Sequence, residues 1–267
     1  MTTADRWTRT MRERLGLGRL LPLGGARDGA WIAERAAREV LLDAAREVAG
    51  VRPGDLRVGL ADPEDTGEPA VPQPPGAVPP GPLRVTADFT AVVGGVAAGA
   101  EPLPAAAERL RAVLGEAATE RLGLTVTDVD LRATGLRDTG SGTDTDPGPE
   151  HHRDRDGREP REAGPRDEEE AARADAVDRD GDEGRVATAA LGVAGVARLA
   201  GVLGRPVHLT ESPVEGALPR RHVRVELAVA ADHRAVEVAR RVRSAVSEAL
   251  PDHPSVAVVV TAVSWPA

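Results

Sequence analysis

A stretch of 52 residues, Thr134–Arg185, dictates how this chain can fold. It reads TGLRDTGSGTDTDPGPEHHRDRDGREPREAGPRDEEEAARADAVDRDGDEGR and is nearly empty of large apolar side chains. Such a segment cannot bury enough surface to offset the entropy of ordering it. It is expected to be a disordered linker, so any core must come from the residues on either side. Its nine Arg against seventeen acids give a net −8, close to the −9 of the whole 267-residue chain. Residues 1–30 carry +3, residues 31–133 carry −6 and residues 186–267 carry +2. An acidic chain of this kind is a poor general binder of nucleic acid, and none is expected as a partner.

The flanking parts have the same order of elements. In the first, Trp31–Ala49 is expected to be helical, with Ile32, Ala36, Val40, Ala44 and Val48 on one stripe. Asp55–Leu60 reads as a short strand, and Leu83–Phe89 alternates apolar and polar residues as a half-buried strand does. Between them Ala61–Pro82 is Pro-rich and is expected to be an extended loop of polyproline character. Pro104–Leu122 reads as a helix with Gly123 as a left-handed cap, followed by a strand from Leu124 to about Leu131.

In the second part Val186–Leu203 is expected to be a helix of small apolar residues, and Pro206–Glu211 and His222–Val229 to be strands. A helix over His233–Leu250, with Asp232 as its N-cap, precedes a Val-rich strand, Val256–Val263, covered on both faces. The expected fold is α+β: two repeated helix-strand-strand-helix-strand units, helices packed on small sheets, separated by the disordered acidic linker. The expected domains are a basic amphipathic segment 1–30, a first unit 31–133 with its loop 61–82, the linker 134–185 and a second, divergent unit 186–267.

Composition excludes several chemistries. Without Cys there is no disulfide, thiol nucleophile, zinc finger or iron–sulfur ligation. All 34 basic residues are Arg, so Schiff-base chemistry and a Walker lysine are absent. With no Tyr and one Phe, little surface is left for stacking single-stranded bases. The start of the chain lacks the apolar core of a secretory signal, and no apolar run is long enough to span a bilayer, so a cytoplasmic location is expected.

The residues then point to a family. DGAWIAERAAREVLLDAAREVAGV and RLGLTVTDVDLRATGL resemble the two ends of a domain in the alkaline-shock and general-stress envelope family of Gram-positive bacteria. In that family the closing helix runs into a Gly-Leu-x-Val-x-x-Val-polar-Val strand, matched here by Gly123, Leu124, Val126, Val129, Asp130 and Leu131. GRVATAALGVAGVARLAGVLGRPV and LPDHPSVAVVVTAV are a weaker second version. The chain is also similar to actinomycete proteins whose label borrows the name of a nucleopolyhedrovirus fibrillar protein. The resemblance implies a non-enzymatic cytoplasmic adaptor or structural protein of cell-envelope stress homeostasis, acting by protein–protein contacts. Implied partners are paralogous alkaline-shock-like proteins or a membrane-anchored family member, which would place the chain near the membrane.

Among local features, Trp7, Met11 and Leu15 share one helical face beside Arg6, Arg9, Arg12 and Arg14. This helix is a candidate for docking on a partner or on an anionic membrane surface; the plain alternative is packing on its own domain. Val92–Gly99 is Gly-rich but fits no phosphate-loop pattern. Asp178, Asp180 and Asp182 alternate as a calcium loop begins, yet Glu183 and Ala189 stand where Gly and Glu are needed. His151–His152 lacks further ligands at a metal-site spacing. His208, His222, His233 and His253 lack a suitably spaced Ser or Cys nucleophile. No catalytic, cofactor or metal residues are therefore assigned. Arg220, Arg221, Arg224, Arg240, Arg241 and Arg243 suggest a basic patch that meets nucleic acid or, in better accord with the charges, the chain's own acidic linker. Two other functional classes remain open: a KH-like nucleic-acid binder, for which the GXXG loop is missing, and a small-ligand sensor built from paired α+β domains.

Overall fold

The two flanking parts trace the same path in the computed structural model, which describes residues 18–93, 102–138, 181–201, 205–214 and 217–265. The first repeat runs α1 (Glu34–Arg46), β3 (Val51–Leu60), β4 (Leu83–Val93), α2 (Leu103–Glu116) and β5 (Val126–Asp138). The second runs α3 (181–191), β6 (Val196–Leu199), β7 (Val207–Val214), β8 (Ala217–Ala230), α4 (Ala235–Ala249) and β9 (Ser255–Ser264). β3 is antiparallel to β4, and β4 is parallel to β5. Likewise β6 and β7 lie along successive parts of β8, both antiparallel to it, and β8 is parallel to β9. The fold is α+β, with the repeated unit present twice.

Two further strands precede α1. β1 (Leu20–Pro22) and β2 (Ala30–Ala33) form an antiparallel hairpin whose turn is held by Asp28, which accepts the Gly25 amide at 2.7 Å. β2 then lies parallel to β9, pairing Ala30, Trp31 and Ile32 with Val258, Val259 and Val260. This corrects the expected start of the opening helix. Residues 30–33 satisfy the helical period, but they are flanked by strands and buried throughout, so they take the extended form and α1 starts at Glu34. The unit boundary at residue 30 also moves, because the hairpin belongs to the sheet of the second repeat. That sheet runs β1-β2-β9-β8-β6, with β7 also on β8; the other is β3-β4-β5.

α1 packs against β3 of one sheet and β9 of the other. It buries two adjacent stripes, Ala36, Val40, Ala44 and Ala37, Leu41, Ala45, as a helix lying between two sheets must. Its small side chains permit the close approach. The loop 61–82 forms no regular helix or strand, turning at Pro74–Ala77, and it is tied to the hairpin: Val78 N–H donates to Leu20 O at 2.7 Å, and Trp31 Nε1 donates to Val78 O at 3.2 Å.

Helix ends account for most other differences. The second repeat's opening helix covers 181–191 rather than Val186–Leu203. Asp182, Val186 and Ala190 form its buried stripe, so the helix reaches into the acidic stretch. Gly195, at φ 94°, ends the following turn and lets Val196–Leu199 extend along β8. At the other side of the linker, residues 134–138 continue β5. Asp232 is not the cap of α4; Arg234 stands there, and no side chain caps the helix.

α2 ends in a wide turn, Ala117–Leu122, closed by Gly123 at φ 85°, as the sequence led one to expect. Gly123 N–H reaches Ala118 O at 3.0 Å. A Cβ on Gly123 would overlap Val236 at the start of α4. This glycine therefore provides both a left-handed turn and a contact between the repeats. Gly123→Ala is expected to lower stability by about 2–4 kcal/mol, from backbone strain plus overpacking. Gly115→Ala, inside α2 with open space around it, should instead be neutral or stabilising by up to about 1 kcal/mol. Denaturant midpoints of the two variants check the contrast.

Candidate functional site

Three groups of polar side chains bear on function. The first fastens the hairpin that leads into the first repeat to α4 of the second. Asp28, in the β1–β2 turn, receives Arg240 Nε at 2.8 Å and Nη2 at 3.1 Å from α4. Arg243, one turn further, donates Nη1 to the carbonyls of Arg27 and Asp28 at 2.7 and 2.6 Å and Nε to Val256 O at 3.0 Å. Partial burial acts to raise the Asp28 carboxyl, but the Arg240 hydrogen bond, the Gly25 amide and the nearby guanidinium charges outweigh it and hold it below its ordinary value. Arg234 Nε adds a bond to Thr119 O of the first repeat at 3.0 Å.

The second group ties α3 down. Asp182 is nearly buried and takes Arg221 Nη2 at 2.6 Å and Arg185 Nη1 at 2.8 Å. Arg221 also reaches Asp252 at 3.3 Å. The third group is a row on the sheet of the second repeat. His222 and Arg224 alternate on β8 with core valines, and His208 of β7 lies directly opposite Arg224. Glu226, 1 % exposed, continues the row and stands 3.5 Å from Arg224 Nε. His222 Nδ1 shares a hydrogen bond with Ser255 Oγ at 2.9 Å. Burial, followed by the Arg224 charge, pushes both His208 and His222 below the usual imidazole range.

The other two histidines are elsewhere. His233 meets Asp232 at 2.8 Å before α4, and His253 meets Ser247 O at 3.0 Å after it. The four therefore do not converge. The six arginines expected as a patch are also divided: Arg221 serves Asp182, Arg224 serves Glu226, and Arg240 and Arg243 hold the hairpin. The Arg221–Asp182 pair does match the idea that these arginines meet the chain's own acidic stretch. Trp7, Met11, Leu15, His151, His152, Asp178, Asp180 and residues 94–99 lie outside the described residues.

Among the described residues no group of three or more metal-ligating side chains assembles, and no helix is long and apolar enough to cross a membrane. A groove of about 670 Å³ lies between Arg19, the end of β3 at Gly59 and Leu60, and the Pro-rich loop. Arg19 is its one charged lining residue among those described, and it is already engaged by Val58 O at 2.9 Å and Glu34 at 3.3 Å. Sequence reasoning missed the Asp28–Arg240 clamp. No local pattern marks two residues more than two hundred positions apart as partners.

His208 and His222 make stability depend on pH in a defined window. Their folded values lie below the free-chain 6.5, so the unfolded chain takes up protons first. The unfolding free energy is expected to fall as pH drops below about 6.5. The double variant H208Q/H222Q should flatten this slope, whatever it does to the plateau at higher pH. Urea denaturation between about pH 5.5 and 8, above the range where carboxylates titrate, measures it.

In comparisons with known proteins, no protein-family model matches this chain, and neither does any curated protein.

Proposed function

We propose that the protein is a non-enzymatic adaptor or structural component of cell-envelope stress homeostasis, acting through protein–protein contacts. The observation that carries this reading is where the polar side chains go. Arg240 and Arg243 fasten α4 to the hairpin that runs into α1, and Arg234 bonds Thr119 of the first repeat, giving a scaffold in which two copies of one module are held by long-range bonds. Fixing two modules in one body presents two related surfaces at a set geometry. That serves recognition of other proteins, because binding partners without reordering the scaffold keeps the entropic cost low. The resemblance of Gly123, Leu124, Val126, Val129 and Leu131 to the alkaline-shock strand supplies the biological setting. Partners in this reading are paralogous alkaline-shock-like proteins or a membrane-anchored member, which brings the chain close to the membrane from the cytoplasm. The segment with Trp7, Met11 and Leu15 is the proposed contact, an aromatic and aliphatic face set among arginines.

The test is affinity purification of the tagged full chain from its native host, with the recovered proteins identified. Recovery of a paralogue or membrane-anchored relative is expected. Replacing Trp7, Met11 and Leu15 together by Ala should reduce that recovery by on the order of tenfold while leaving the melting temperature unchanged. A chain that recovers no relative, or whose melting temperature rises with a small metabolite, overturns the proposal.

A further inference from the structure

The repeats differ at one strand edge. β5 and β9 hold the same place, each parallel to the central strand of its repeat. The far edge of β9 is covered by β2, and Val256–Val260 are buried to 2 % exposure or less. The far edge of β5 pairs with no strand among the described residues. Its core-side residues Val126, Val129 and Leu131 are only half-buried, and Leu136, further along, is 67 % exposed.

We propose that β5 is a self-association strand, pairing antiparallel with β5 of a second copy of this chain about a two-fold axis through Leu131. This goes beyond the adaptor reading and does not depend on it, since the pairing needs no other protein.

Backbone direction supports it. Leu83 N–H donates to Thr125 O at 2.8 Å, and Ala61 N–H donates to Pro82 O at 2.9 Å. Together with the strand registers, these bonds turn Val85 and Ala87 of β4 towards β5 and residues 128, 130 and 132 of β5 towards β4. Residues 129, 131 and 133 then present N–H and C=O outwards. The Val129 carbonyl accordingly accepts Arg111 Nε at 3.1 Å, and its second lone pair remains for a strand.

Charge selects both the occupant and the register. With the axis at Leu131, Asp130 faces Arg132 of the copy, and Arg132 faces its Asp130, on the solvent side. On the core side Val129 faces Ala133, and the exposed Leu136 faces Val126. Moving the axis to residue 130 sets Asp130 against Asp130; moving it to residue 132 sets Arg132 against Arg132. Like charges directly opposite are destabilising, so the Leu131 register is favoured. Arg132 has no ion-pair partner among the described residues, whereas Asp128 and Asp130 each lie 3.5 Å from Arg84. The pairing gives Arg132 a carboxylate and lengthens the three-stranded sheet to six strands.

Sedimentation velocity on the full chain at micromolar concentration tests the proposal, with the melting temperature as a check on folding. A dimer is expected. Arg132→Asp sets two carboxylates against each other in the copy and should weaken dimerisation by on the order of tenfold. The swap D130R/R132D should restore it. Ala133→Pro, which removes an outward N–H, should also give monomer. A monomeric wild type, a dimer unaffected by R132D and A133P, or a swap that fails to rescue would each overturn the proposal.

Discussion

Parallel pairing of β2 with β9 is the contact on which the rest of the architecture depends. It joins residues more than two hundred positions apart, with Val258 N–H donating to Gly29 O at 3.0 Å. Because β2 runs directly into α1, fixing β2 beside β9 also fixes where α1 enters. α1 can then serve both sheets at once. The clamp of Arg240 and Arg243 on the hairpin turn reinforces the same junction from α4. Charge-assisted bonds to a carboxylate and to carbonyls are stronger than neutral ones, and several of them act on one short turn. The two modules consequently share one hydrophobic core.

The sequences of β5 and β9 record their different surroundings. VTDVDLRATGLRD alternates, with Asp128, Asp130 and Arg132 on the solvent face, and suits a sheet with helices on one side only. SVAVVVTAVS has no such alternation, and six of its residues in a row are buried. Continuous apolar strands occur where both faces are covered. The two repeats share one topology, and their strand compositions differ according to what lies over each face and edge.

Much of the fold could be read from periodicity. α2 with its Gly123 cap, the alternating β4 and the doubly covered β9 all follow from local pattern, and so does the repeated order of elements. Four features could not. The residues AWIA fit a helix as well as a strand, and only non-local pairing decides between them. α3 begins among Asp182 and Glu183, where composition alone indicates a linker; its start depends on Arg221 being available to neutralise a buried Asp182. The joining arginines were visible as a basic cluster, but their partners lie across the fold, so the sequence showed the charge without its use. Asp232 satisfied the composition of an N-cap, yet its side chain bonds to His233 instead.

The long insertions become intelligible once the junction is in place. Forty-two residues separate Asp138 from residue 181, and the Pro-rich loop inside the first repeat is long as well. Closing a flexible loop costs entropy only as the logarithm of its length, about 0.6 kcal/mol for each doubling. An insertion between the modules is therefore tolerated as long as something else brings them together, and here that is the β2–β9 pairing and the α4 clamp. The dependence runs in one direction. Lengthening the connection weakens the fold slightly, but removing β2 would bare the edge beside Val258–Val260, a Val-rich strand of the type that invites pairing with other chains. The hairpin thus fixes the second repeat's sheet and closes an edge whose counterpart on β5 has no strand beside it among the described residues.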